Sequence, residues 1–239
     1  MTITIDGPAG SGKTSVARLL AQTLNIRVLQ SGLLYRAAAV VLLVNRGVFE
    51  LEDIKKDVFS VDLHDCTQVK DSLTDEEIAK LSCIEYGYQD DAISPYVKIN
   101  GISFEGYLGK FGVGLPASVI SQHLAVRDWA LSVQRAIAKK YDLIAEGRDC
   151  GTVVFPEAEY KFFLTASLEV RKQRVAGDNS RGIVSGDAPT LAKSILARDE
   201  HDQTRKIAPL VAAHTALIVD ASHMNLHEVV SFLLQKMGK

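Results

Sequence analysis

Gly7-Pro8-Ala9-Gly10-Ser11-Gly12-Lys13-Thr14 is the stretch whose reading decides the fold. It fits G-x-x-x-x-G-K-[ST], the pattern of a phosphate-binding loop. Its glycines let successive backbone N–H groups turn toward one point without a Cβ in the way. Those N–H groups and the start of the following helix form a positive cradle for a β-phosphate. In such a loop Lys13 would bridge β- and γ-phosphates and the Thr14 hydroxyl would ligate Mg²⁺. The flanks fit as well. Thr2 to Ile5 is rich in β-branched residues, as a strand is, and Lys13 to Leu24 carries Val16, Leu19, Leu20 and Leu24 at helical spacing. Gly7 to Thr14, with Ser15, are therefore candidate donor-nucleotide residues, and a nucleoside triphosphate with Mg²⁺ is the implied ligand.

Outward from the loop, Asn25 is expected to end the helix and Ile26 to Leu29 to form a second strand. Leu33 to Val44 then reads as an apolar helix capped by Ser31-Gly32. Strand, loop, helix and strand make a βαβ unit on a parallel sheet. Texture changes in the middle. Val58 to Leu63, Gln68 to Val69, Tyr96 to Ile99 and Ile102 to Phe104 are short β-type pieces, with a helical stretch from Asp75 to Leu81 among them. Asn100-Gly101 is a hairpin turn signal. The α/β pattern resumes with a helix from Leu115 to Lys140, broken near Ala125, and strands at Tyr141 to Ala145 and Lys161 to Thr165. A charged helix around Arg171 to Val175 leads to a Gly- and Asp-rich mobile loop, Asn179 to Pro189. A second charged helix, Leu191 to Thr204, the strand Ala216 to Asp220 and the helix Asn225 to Met237 complete the chain. The expected division is an α/β core at 1–57 and 113–239 with a small antiparallel insert at 58–112.

Bulk properties narrow the function classes. The net charge of −2 provides no global basic field for nucleic acid. The longest apolar run, Ala37 to Val44, falls far short of the roughly 18 residues that span a bilayer. No leader is expected, because the chain opens directly on Thr2 to Ile5. Cys66, Cys83 and Cys150 are odd in number and match no metal or disulfide spacing, which suggests reduced thiols in a cytoplasm. Arginines recur after the loop: Arg36, Arg127, Arg148, Arg171, Arg174, Arg181, Arg198 and Arg205. An enzyme moving a phosphoryl group onto a second polyanion must hold donor and acceptor together, and arginine suits that task. Arg198, Asp202 and Arg205, at steps of four and three, share one helix face. Arg148-Asp149 follows a strand, at the carboxyl end where open α/β sheets bind ligands.

Several blocks together resemble the bacterial cytidylate kinase family: Ile5 to Lys13; Ser31-Gly32-Leu33-Leu34-Tyr35-Arg36; Glu146-Gly147-Arg148-Asp149-Cys150-Gly151-Thr152 through Pro156; and Ala197 to Arg205 followed by Ala208-Pro209-Leu210. They run in family order from end to end. The resemblance implies transfer of the γ-phosphate of ATP to CMP or dCMP in a P-loop nucleoside monophosphate kinase-like core. It also implies that the insert binds the nucleoside monophosphate and that a lid lies at about 171–190. Carried over by position, Ser118 and Arg127 would read cytosine. Arg36, Arg148 and Arg205 would hold the acceptor phosphate, with Ser31 and Tyr35 beside them. Asp149 would orient an arginine and read the base or sugar side, and Arg198 and Asp202 would contact the sugar and phosphate. Arg171 and Arg174, with Arg181, would clamp ATP phosphates from the lid. Lys13, Arg148, Arg198 and Arg205 are the catalytic candidates, and Thr14 the metal candidate. The enzyme is expected to be a cytoplasmic monomer with no nucleic-acid or membrane partner.

Gln30 stands where the family usually has aspartate, which removes a negative charge near the phosphates. Gly109-Lys110 stands where the family often has arginine, and Ala176 to Ala188 is short and poor in basic residues. His223 and His227 lack a third ligand nearby, while His201 borders the Arg198–Arg205 face. The competing readings are a UMP/CMP or shikimate-type kinase, or a nucleotide-binding regulatory module without catalysis.

Overall fold

A computed structural model describes residues 1–55, 72–90, 92–104, 106–109, 113–177 and 188–239, with the backbone alone at 54, 55 and 188–194. The expected pieces Val58 to Leu63 and Gln68 to Val69, along with Cys66, Lys110, Arg181 and the stretch 178–187, lie outside the described residues.

The first strand, β1 (Thr2–Asp6), passes through the phosphate loop into α1 (Lys13–Leu24), which Asn25 ends with a left-handed φ of 52°. Asparagine tolerates that conformation better than most residues. β2 (Arg27–Gln30) runs straight into α2 (Ser31–Asn45). Ser31-Gly32 is thus the first turn of the helix rather than its cap. Gln30 occupies the cap position in extended geometry and makes no side-chain cap bond. α2 is apolar on nearly every side and is buried accordingly from Ala37 to Leu43. None of the described helices is long and apolar enough to cross a membrane.

The helix expected from Asp75 to Leu81 is α3 (Asp75–Ala79), capped by a Thr74–Glu77 box and followed by a 3₁₀ turn over Lys80–Cys83. Three short strands, β3 (Ile84–Gly87), β4 (Tyr96–Ile99) and β5 (Ile102–Ser103), form an antiparallel sheet. The hairpin turns at Asn100 and Gly101, both with positive φ. The long helix breaks at 121–123 into α4 (Gly114–Ile120) and α5 (Leu124–Ala138). β6 (Leu143–Gly147) begins two residues later than the apolar pattern suggested and extends to Gly147. A π-type turn over Cys150–Val154 leads to β7 (Tyr160–Thr165) and α6 (Leu168–Ala176). Pro189, expected in a loop, lies inside α7 (Ala188–Thr204), in the first turn, where proline's missing N–H is not needed. β8 (Leu217–Asp220) and α8 (Leu226–Lys236) end the chain.

The main sheet is parallel, in the order β2-β6-β1-β7-β8. Ile3, Ile5, Val16, Leu20, Phe162, Leu164, Val219 and Leu233 build the core under α1 and α8. A second core joins α2 to the antiparallel sheet and α4 through Leu42, Leu81, Val97, Ile99, Phe104 and Ile120. The register sets Asp6 beside Gly147 and Gln30 beside Glu146. The carboxyl ends of β1, β2 and β6 therefore open on one point, between the two cores.

Candidate active site

The phosphate loop leaves β1 at Gly7, whose φ is +148°. A Cβ there would meet the Leu164 carbonyl oxygen at 2.0 Å, so only glycine allows the strand-to-loop turn. Gly12 caps α1 at a φ of 97°, which aims the helix N-terminus into the loop. Lys13 folds over it and donates to the Pro8 carbonyl at 2.6 Å and to Ser11 Oγ at 3.3 Å. Burial, and then the nearby Arg148, push the Lys13 ammonium well below its ordinary pKa. An anion in the cradle would relieve both effects.

The loop is braced from behind. Asp199 accepts from the Ala9 N–H at 2.9 Å, and Arg171 donates to the Ala9 carbonyl at 2.9 Å. Arg171 and Asp199 are themselves a buried ion pair between α6 and α7. Arg171 thus sits against the protein side of the loop and does not line the cleft. Arg174 donates to the carbonyls of Ser11 at 3.0 Å and Ala221 at 2.7 Å. It lines a separate cavity of about 540 Å³ that also touches Gly10, Ser11, Gly12, Ser15 and Asn225.

The main cleft, also about 540 Å³, opens on the other side of the loop. Lys13, Thr14, Ser15, Ser31, Tyr35 and Arg36 line its floor, and Ser118, Arg148, Asp149, Arg198, Asp202 and Arg205 its wall. The antiparallel sheet and its flanks add Ser94, Val97, Phe104, Leu108 and Gly109. Of the residues singled out as substrate-binding, only Arg127 is absent from the lining. It lies behind Asp149 in an ion pair whose two side chains are each 3% exposed, and it donates to the Ser121 carbonyl at 3.1 Å.

Asp202 is the electrostatic centre of the wall. It accepts from Arg148 Nε at 2.8 Å and from the Ser118 hydroxyl at 2.6 Å, with Arg205 at 3.8 Å and Arg198 at 4.0 Å. Burial disfavours its charge, but Arg148, Arg198 and the Ser118 bond outweigh burial and hold the carboxyl at about 2. Arg205 also donates to Ser121 Oγ at 2.9 Å and to the Ala208 carbonyl at 2.6 Å. These bonds hold its guanidinium in place at the cleft wall.

Three further acids shape the site. Asp6 accepts from the N–H groups of Cys150 at 2.8 Å and Gly151 at 2.7 Å, pinning the turn that presents Arg148-Asp149. Burial raises its carboxyl to about 6 despite those bonds. Glu146 accepts from the Thr14 hydroxyl at 3.1 Å. Asp199 is the loop brace. Each lay within a quoted motif, but its partner is distant in sequence. Burial, then Asp6 and Asp149, push the Cys150 thiol well above its ordinary value, so it is poorly suited to redox chemistry.

Thr14 and Glu146 supply hard oxygen atoms beside the phosphate cradle, which fits a Mg²⁺ ion delivered with nucleotide phosphates. Among the described residues no cluster of three metal-ligating side chains stands ready to hold an ion alone.

Comparison with known proteins agrees with the sequence motifs. The family model for cytidylate kinase matches residues 3–239. The cytidylate kinase of Carboxydothermus hydrogenoformans is 36% identical over 240 residues, spanning 100% of this chain and 98% of that protein. The cytidylate kinase of Haemophilus ducreyi is 35% identical, spanning 99% and 96%, and that of Thermotoga neapolitana 33%, spanning 98% and 94%.

Proposed function

Because the chain belongs to the cytidylate kinase family, we propose that it transfers the γ-phosphate of ATP to CMP or dCMP, giving ADP and CDP or dCDP. The observation that carries this reading is one cleft joining a phosphate loop to a wall of Arg148, Arg198 and Arg205 around Asp202. A cradle alone binds nucleotide. A second cationic wall facing it supplies what an acceptor phosphate requires.

In this reading Gly7 to Ser15 hold the donor phosphates, with Arg171 and Asp199 keeping the Ala9 backbone in place. The Arg174 cavity, sharing loop residues with the cradle, suits the donor nucleoside. Arg36, Arg148 and Arg205 hold the acceptor phosphate, and Arg198 contacts the acceptor sugar and phosphate beside Asp202. Ser31 and Tyr35 position the acceptor sugar side, while Ser118, Asp149 and Asp202 face the cytidine, with Arg127 fixing Asp149 from behind. Thr14, with Glu146 beside it, would hold Mg²⁺, which neutralises phosphate charge when bound. No strong base is needed, because the attacking phosphate oxygen is already ionised. The insert would bind the acceptor, and the lid would exclude water that could otherwise take the phosphoryl group. The enzyme is taken to work as a monomer, and the activity suits a cytoplasmic enzyme.

The test is turnover on CMP, dCMP, UMP, AMP and shikimate with ATP. Fastest ADP release on CMP or dCMP is expected. Fastest release on another acceptor, or none at all, would refute the reading.

A further inference from the structure

His201 projects from α7 behind Ser118. Its Nδ1 lies 2.8 Å from Ser118 Oγ and its Nε2 lies 2.9 Å from Gln122 Nε2. The proton positions in this chain of contacts follow from simple inventory. A hydroxyl has one hydrogen to donate and two lone pairs to accept with. The Ser118 hydrogen goes to Asp202 Oδ1 at 2.6 Å, since an ionised carboxylate can only accept. His201 Nδ1 must then be the donor to Ser118, which in the neutral ring leaves Nε2 as an acceptor for the Gln122 amide N–H. All three contacts are satisfied by one tautomer.

The consequence lies at Ser118. With its hydrogen committed to Asp202 and one lone pair to His201, the hydroxyl has a single lone pair left. Ser118 itself lines the cleft. It can meet a ligand N–H but not a ligand carbonyl. We infer that His201 is a positioning residue: Asp202 takes the Ser118 hydrogen and so makes the hydroxyl an acceptor, while His201 occupies one Ser118 lone pair and aims the other at the ligand, strengthening the preference for a 4-amino pyrimidine over a 4-keto pyrimidine. The inference rests on the reading that Ser118 faces the acceptor base. Cytosine offers its exocyclic N–H to that lone pair. Uracil presents an oxygen there and leaves two acceptors opposed, the kind of mismatch that polar sites reject strongly.

Steady-state kinetics on CMP and on UMP, at saturating ATP and Mg²⁺, test this in the full chain. His201→Leu removes the Nδ1 donor. The CMP KM should rise about three- to tenfold, the worth of one neutral hydrogen bond, with kcat within about twofold. UMP kinetics should stay unchanged, so the CMP-to-UMP ratio of kcat/KM falls by the same factor. His201→Asn carries an N–H near the Nδ1 position and should restore the ratio. His201→Gln places its amide nearer the Nε2 position and should behave like His201→Leu, which separates the directed bond from mere polarity or fold. Ser118→Ala is the control for the underlying reading and should collapse the ratio by itself. A collapsed ratio in Ser118→Ala with an unchanged ratio in both His201→Leu and His201→Gln overturns the role of His201 alone. An unchanged ratio in Ser118→Ala overturns the placement of the base and this inference with it. Equal losses on CMP and UMP in the His201 variants also overturn it, because they mark a structural role.

Discussion

Replacing Asp202 with asparagine should destabilise the empty enzyme and should do so less once the acceptor is bound. The carboxyl stands at about 2 against an ordinary 3.8, held there by Arg148, Arg198 and Ser118 against the cost of burial. A displacement of about two units corresponds to about 2.5 kcal/mol favouring the charged form at neutral pH. The sign follows from the lowered value. This stability is fully present above about pH 4 and disappears as pH falls through about 2. Asparagine keeps an acceptor for Ser118 or Arg148 but removes the carboxylate that Arg148, Arg198 and Arg205 share, leaving Asp149 beside Arg205 at 3.8 Å. For a chain of this length each kcal/mol moves Tm by about 2–4 °C, so Asp202→Asn should melt about 5–10 °C lower at pH 7. Saturating CMP brings a dianionic phosphate among the same arginines, so the gap should narrow with CMP present. Thermal unfolding of both proteins, with and without CMP, reads each effect. A ligand-free shift below about 1 °C, or a gap that CMP leaves unchanged, would refute the reasoning.

Asp6 should show the opposite sign. Its raised carboxyl makes the native state bind the extra proton, so wild type should lose up to roughly 3 kcal/mol relative to Asp6→Asn between about pH 4 and pH 6, then level off; parallel urea melts across that range check it. Asp199→Asn removes the charge that holds Arg171 and the Ala9 N–H, so the ATP KM should rise about tenfold while the CMP KM holds, as measured by separate substrate titrations. Gln30→Asp would put a second carboxylate beside Glu146, and the Mg²⁺ concentration for half-maximal rate, with the CMP KM, should shift severalfold; unchanged titrations would remove Gln30 from any part in metal or acceptor affinity.

How far the chain explains itself depends on the range of each interaction. α1 is legible to the residue and β1 to within one, because strand composition, glycine placement and the Asn25 stop all act locally. The Arg198–Asp202–Arg205 face is legible for the same reason, since helical spacing alone brings those side chains together. Ser31-Gly32 misleads because serine and glycine are good caps, while here β2 runs directly into α2 and no cap is formed. β3 is not legible because Ile84-Glu85-Tyr86-Gly87 lacks a strong β pattern; its antiparallel pairing with Tyr96 to Ile99 defines it. The Asp149–Arg127 pair, the Asp6 anchor and the Asp199–Arg171 brace join residues 22 to 145 positions apart, beyond any periodicity. Motif matching marks such residues but does not reveal that Arg127 and Arg171 face protein rather than the cleft. His201 borders an active helix face in the sequence, and only its 2.8 Å approach to Ser118 gives it a specific task.

The most direct measurement follows labelled γ-phosphate from ATP in the presence of CMP. The label should appear in CDP at the same rate as ADP is released, and that rate should fall sharply in Arg148→Ala and Arg205→Ala. Label in inorganic phosphate, or ADP release that CMP does not stimulate, would contradict an enzyme whose cleft joins a donor cradle to an acceptor wall.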